Sequence, residues 1–163
     1  PGWQNVAHVN GDRDLKFFDA LLEDARKRLH ADPKRVFAMG HSNGGGFTYL
    51  LMRERPNVIA AFAPSSAGAG AKLSGATPKP VFHIAGTKDP LVSFENQQVT
   101  IDALLELNKC TKPGQSWSDK CTFYPSKLAP VATFISDVGH VFQRDAMPFV
   151  VRFFKAVAPA SPS

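Results

Sequence analysis

Arg35-Val36-Phe37-Ala38-Met39-Gly40-His41-Ser42-Asn43-Gly44-Gly45 is the stretch on which the fold turns. Residues 35–39 form a short apolar run of the kind a buried parallel strand needs. Helical periodicity resumes from about residue 44 to Arg55, with Phe47, Leu50 and Leu51 apolar, and Pro56 stops it. Between strand and helix sits a G-x-S-x-G, Gly40 to Gly44. A serine on so tight a turn has strained backbone angles, and glycines two positions to either side give it room. The following helix aims its positive end and the Asn43 amide at any developing oxyanion. The pattern predicts Ser42 as a nucleophile with Asn43 as an oxyanion donor. The plainer alternative for Ser42 is a helix N-cap.

The rival reading of these glycines, a phosphate or dinucleotide loop, fails on spacing. A P-loop needs Gly-Lys-Ser/Thr, and no lysine lies between Arg35 and Lys72. A dinucleotide fingerprint begun at Gly44 and Gly46 needs a glycine where Tyr49 stands.

On either side of this stretch, strands and helices alternate. Residues 14–29 read as an amphipathic helix with Leu15, Phe18, Leu22, Ala25 and Leu29 on one buried stripe. Asp12 or Asp14 can cap its start, and Pro33 follows its end. Further strands are expected at 58–63, 81–85, 121–124 and 131–136, and further helices at 96–108 and 144–157. Residues 64–80 read as a loop and 158–163 as a disordered tail. This alternation predicts α/β layers around a mostly parallel sheet, one domain over residues 1–157.

A serine hydroxyl needs a base, and the base needs an orienting acid. In such sheets they follow in the order Ser, Asp/Glu, His, in loops beyond strand carboxyl ends. Asp89 lies in Gly86-Thr87-Lys88-Asp89-Pro90, after the strand ending at Ala85, and His140 lies in Asp137-Val138-Gly139-His140. Asp89 before proline also reads as a turn residue. Asp137 is the rival acid, but its closeness to His140 suits it to shaping the turn. Of the other histidines, His30 ends an exposed helix, His83 lies inside a strand where packing or support suits it, and His41 is expected to point away from Ser42. His8 carries no assignment.

The chain has 163 residues, 44% of them apolar, and nineteen Lys+Arg against fourteen Asp+Glu give a net charge of +5. That length suits one domain with a real core. The positives are scattered rather than clustered, which argues against a nucleic-acid partner. No apolar run reaches the roughly 18–20 residues of a membrane span. Cys110 and Cys121 are too far apart for a CxxC motif and have no histidine nearby. Their loop suits either a disulfide, worth about 3 kcal/mol, or two buried thiols. A disulfide would imply export, to a secreted or periplasmic location.

Asp32-Pro33-x-Arg35-Val36-Phe37 leading into Gly40-His41-Ser42-Asn43-Gly44-Gly45 resembles the exported esterases related to polyhydroxybutyrate depolymerases and feruloyl esterases, which are α/β-hydrolases. The similarity runs on through Phe62-Ala63-Pro64, His83 to Val92, Asn108-Lys109-Cys110 and Gly139-His140. The resemblance implies an α/β-hydrolase fold with Ser42 as nucleophile, His140 as base, Asp89 as acid and a Cys110–Cys121 disulfide. It implies no metal and no cofactor. The expected substrate is a small-molecule or polymer-derived carboxylic ester of feruloyl, acetyl or short hydroxyalkanoate type.

Two departures stand out. Gly46 replaces the family's methionine, which predicts a wider pocket. The family's domain also begins with strands that this chain lacks, and one of their loops supplies a second oxyanion donor. The chain therefore reads as the C-terminal portion of the domain, and its opening at Pro1 without a methionine fits removal of a leader or a start partway through a gene. The partner expected is then a missing N-terminal polypeptide of the same domain. The alternative function is a non-catalytic binding or structural piece of such a hydrolase, and a third is cleavage of a bond other than an ester.

Overall fold

The computed structural model describes residues 2–158. Six strands form one sheet in the order β1-β2-β3-β6-β5-β4. They are β1 (Phe37–His41), β2 (Ala61–Ser65), β3 (Val81–Gly86), β4 (Gln115–Ser116), β5 (Cys121–Tyr124) and β6 (Val131–Ser136). Four helices accompany them: α1 (Arg13–Leu29), α2 (Asn43–Glu54), α3 (Phe94–Leu107) and α4 (Met147–Val157). β1, β2, β3 and β6 are parallel, while β5 and β4 add an antiparallel edge. The mostly parallel sheet is as expected, and the tail expected over 158–163 lies, past Ala158, outside the described residues.

Side-chain alternation along the strands divides the core in two. On one face Phe62, Val81 and Val131 pack with Leu50 and Met52 of α2 and Ile101 and Leu104 of α3. On the other, Phe82, Ile84 and Phe134 pack with Val150 and Phe153 of α4. Helices thus cover both faces, as a parallel sheet requires.

Boundaries moved where sequence signals were soft. β2 begins at Ala61 rather than 58, because Ala60 is still making the approach, its N–H bonded to Val36 O. The 64–80 loop holds a short 3-10 turn, Gly70–Leu73. The two-residue β4 escaped notice because Gln115 and Ser116 are exposed and carry no apolar pattern. Of the stripe expected on α1, Leu15 is buried but Leu29 is 76% exposed. Leu29 is the last residue of the helix, directly before His30 takes a left-handed cap conformation and turns the chain away.

The expected disulfide is corrected. Cys110 and Cys121 are both free thiols. Cys110 packs with the α2/α3 face and Cys121 with the α4 face, so the sheet separates them. Burial raises both thiols, Cys121 to about 11 against the opposing pull of Arg152. The inference of export therefore cannot rest on that bridge.

Candidate active site

Ser42 sits between β1 and α2 at φ 56° and ψ −119°. That left-handed, strained conformation is held from both sides: Ser42 N–H donates to Ser65 O at 2.9 Å, and Ser42 O accepts from Gly46 N–H at 3.0 Å. A side chain at Gly40 would run into the Gly44 carbonyl and reach Thr48 Oγ1 at 2.7 Å. Gly44 needs no such allowance, since outside its own helix a Cβ would meet only the Trp3 ring at 4.0 Å. The tight position is the next one: a Cβ on Gly45 would approach Ala67 Cβ at 2.7 Å and Ser65 O at 2.8 Å. The second glycine of the motif is thus permissive, and its neighbour carries the steric demand.

The three side chains singled out from sequence come together in a line. Ser42 Oγ is 2.8 Å from His140 Nε2. His140 Nδ1 lies 3.0 and 2.9 Å from the two carboxylate oxygens of Asp89. The Asp89 side chain is fully buried, while that of His140 keeps 14% exposure. Burial alone would raise the Asp89 carboxyl. The Val92 N–H, the His140 ring and the Leu91 N–H outweigh it together and hold the group below its ordinary value. Asp89 Oδ1 accepts from the N–H groups of Leu91 and Val92, each at 2.9 Å.

The two loops are fastened to each other. Thr87 N–H donates to Ser136 O at 2.9 Å and Lys88 N–H to Val138 O at 3.0 Å. Gly86 is obligatory there, since a Cβ would strike the carbonyls of Val138 and Gly139. Asp137 accepts from Thr87 Oγ1 at 3.0 Å and pairs with Lys88 at 2.8 Å. It belongs to the loop clamp.

His41 does not point away as expected. Its ring centroid lies 4.9 Å from that of His140, Phe142 packs edge-on at 6.1 Å, and Nδ1 contacts Ser65 Oγ at 3.2 Å. Burial, then the nearby His140, lower its pKa.

Asn43 opens α2, where the first N–H groups of a helix have no intrahelical acceptor. The role of its side chain has no local signal in the sequence. Asn43 Oδ1 accepts from Trp3 N–H at 2.6 Å, and Asn43 Nδ2 donates to Trp3 O at 3.0 Å. Trp3 also stacks on Phe47 at 5.1 Å. The segment after Gly2 is therefore docked on the turn that carries Ser42. Asn5 fills the space left by Gly46, whose Cβ would collide with the Asn5 amide, so the wider pocket expected there is already occupied.

The site's outer rim is apolar and exposed: Leu91 at 74%, Val141 at 48% and Phe142 at 46%. Beside it, along β1, a groove of about 470 Å³ is lined by Trp3, Leu21, Met39, His41 and Phe47 among others. Among the described residues no cluster of His, Cys, Asp and Glu could hold a metal ion. No described helix is long and apolar enough to cross a membrane.

The model of the dienelactone hydrolase family matches residues 3–112. A bifunctional acetylxylan esterase/xylanase from Neocallimastix patriciarum is 33% identical over 129 residues, which is 77% of this chain and 18% of that protein. Feruloyl esterase D from Neurospora crassa is 37% identical over 106 residues, 65% of this chain and 31% of that protein. The chain thus spans less than a third of either relative. Among solved structures, an acetyl xylan esterase from Aspergillus awamori superposes with a TM-score of 0.68 at 15% identity, covering 90% of this chain and 68% of that one. At that identity the likeness speaks for the fold.

Proposed function

The chain belongs to the dienelactone hydrolase family, and from that premise we propose that it carries the reacting groups of a serine esterase. Ser42 Oγ attacks the ester carbonyl carbon while His140 Nε2 takes its proton. The oxyanion of the tetrahedral intermediate accepts from Asn43 N–H at the start of α2. Collapse expels the alcohol, which takes the proton from His140 and leaves Ser42 acylated. Water then attacks the acyl-enzyme through the same base, releasing the acid and restoring Ser42. Asp89 keeps the Nδ1–H tautomer of His140 and stabilises the imidazolium.

One observation carries this reading: the unbroken line Ser42 Oγ, His140 Nε2, His140 Nδ1, Asp89 at 2.8 to 3.0 Å. Esters of feruloyl, acetyl or short hydroxyalkanoate type are the proposed substrates. The exposed apolar rim of Leu91, Val141 and Phe142 suits an apolar acyl group, and the names of the relatives favour feruloyl and acetyl esters. Ser42→Ala tests the proposal against p-nitrophenyl esters, with hydrolysis falling about 10⁴-fold or more while the fold survives.

A second reading concerns completeness, and the free flank of the sheet favours it. Among the described residues β1 pairs only with β2, and Met39 on β1 and Leu21 beside it are 37% and 56% exposed. An open apolar strand edge is a liability that proteins normally cover. The working site then includes further polypeptide that pairs with β1 and supplies a second oxyanion donor, absent which turnover drops about 10²–10³-fold. Comparing residues 1–163 with a longer product of the same gene tests this; equal kcat would exclude it.

A further inference from the structure

Behind Asp89, away from Ser42, lies a buried row of polar side chains that the reaction as written does not use. Gln97 of α3 is 0% exposed, His83 of β3 is 0% and Tyr49 of α2 is 1%. Burying three polar side chains in an apolar core is costly unless their groups are matched. They reach the site in sequence. Gln97 Nε2 donates to Asp89 Oδ2 at 3.4 Å and to Val92 O at 2.8 Å. Val92 is the residue whose own N–H holds Asp89 Oδ1. At the far end, Tyr49 Oη and His83 Nδ1 are 2.6 Å apart.

Between them, His83 Nε2 and Gln97 Oε1 are both buried and neither completes a hydrogen bond. The Gln97 side chain is nonetheless a polar group that acts on the ring. Burial drives His83 down to about 4, and Gln97 opposes that effect. The imidazole is therefore neutral at ordinary pH, with one nitrogen protonated.

Only one arrangement of protons suits the whole row. Asp89 Oδ2 and Val92 O are both acceptors, so the Gln97 NH₂ must face them and its carbonyl must face His83. A carbonyl on that side matches the proton sitting on Nε2, in keeping with the upward pull of Gln97 on the His83 ring. Nδ1 is then an acceptor, and Tyr49 must donate to it; burial holds the phenol neutral by raising its pKa well above the ordinary value.

We propose that Gln97, through its bonds to Asp89 Oδ2 and Val92 O, is a positioning residue that locks the Asp89 carboxylate and the Val92 turn in register with His140. The proposal rests on the triad reading of Ser42, His140 and Asp89. The role of Gln97 is to limit rotation of a carboxylate that must face both His140 and two backbone N–H groups. Asp89, His83, Tyr49 and, across the carboxylate, His140 are the titratable groups around this row.

The test combines kinetics with the tautomer of His83. Gln97→Met, which keeps the volume and removes the amide, lowers kcat on p-nitrophenyl acetate about 10-fold with KM changed less than about 2-fold, the signature of lost alignment rather than lost binding. Gln97→Glu supplies the readout that a packing role would not move. Protonated, the introduced carboxyl can donate to Asp89 as the amide does. Ionised, it repels the Asp89 carboxylate, so a new alkaline limb cuts activity at a pH where wild type is still active. In the wild-type chain, two-bond ¹H–¹⁵N spectra find His83 as the Nε2–H tautomer, a measurement that depends on no variant folding. Wild-type kcat in Gln97→Met, an unaltered pH profile in Gln97→Glu, or an Nδ1–H tautomer at His83 overturns the proposal. Ser42→Ala assayed in parallel separates the two failures: if it stays active the triad reading falls, whereas an inactive Ser42→Ala beside unaffected Gln97 variants sinks the positioning role alone.

Discussion

Asp137 precedes His140 by three residues, yet its carboxylate is engaged by Lys88 at 2.8 Å and Thr87 at 3.0 Å, while Asp89, 51 residues away in sequence, contacts His140 Nδ1 at 2.9 Å. The choice between the two acids is therefore made by loop packing and not by nearness along the chain. Asp89→Asn is expected to lower kcat about 10³–10⁴-fold by disturbing the imidazole tautomer. Asp137→Asn removes only an exposed ion pair, of about 0–1 kcal/mol, and leaves kcat within about 2-fold. Esterase kinetics on the two variants check the assignment.

The turn glycines make unequal demands. Gly40→Ala forces a Cβ against the Gly44 carbonyl and Thr48, and should cost about 2–4 kcal/mol or displace Ser42. Gly44→Ala meets nothing nearer than 4.0 Å outside its helix and should be neutral or stabilise by up to about 1 kcal/mol through helix propensity. Denaturation midpoints of the two variants decide the matter.

The motif itself was legible in sequence because G-x-S-x-G restricts backbone and side-chain size together. What the letters could not tell is which glycine bears the contact, since that depends on Ala67 and Ser65 arriving from β2 and the loop after it. The same limit applies to the rest of the site. Asp89 and His140 could be read because each follows an apolar strand in the expected order. Gln97 could not, because a glutamine on a helix is ordinary until its burial is known. Trp3 and Asn5 lie in an irregular leader, and their docking on Asn43 and Gly46 is a long-range contact without local signal. The disulfide failed for a related reason: a cysteine spacing says nothing about which face of a sheet each thiol meets.

Both thiols, Cys121 buried and Cys110 half-buried, should behave as shielded, protonated groups. Intact mass is expected to stay the same with and without reductant, and the thermal midpoint should not respond to it. At mildly alkaline pH a thiol reagent should label Cys110 and Cys121 slowly in the folded chain and fully after unfolding, given the raised pKa values that burial imposes. A mass lower by two hydrogens without reductant would contradict the free thiols.

His83 makes stability depend on pH in a defined window. Its folded pKa, about 4, lies below the ordinary 6.5, so between these values the unfolded chain binds a proton that the folded chain does not. Unfolding free energy then falls as pH drops from about 6.5 to about 4, by about 3 kcal/mol in all if this group acts alone. Urea titrations across that range check the slope, and His83→Asn should flatten it.

Covalent capture decides whether Ser42 is the nucleophile activated by His140. The chain is exposed to a fluorophosphonate, and intact mass and peptide mapping locate the adduct. A single adduct is expected on Ser42, lost in Ser42→Ala and strongly slowed in His140→Ala. Labelling at another serine, or equal labelling in Ser42→Ala, would contradict it.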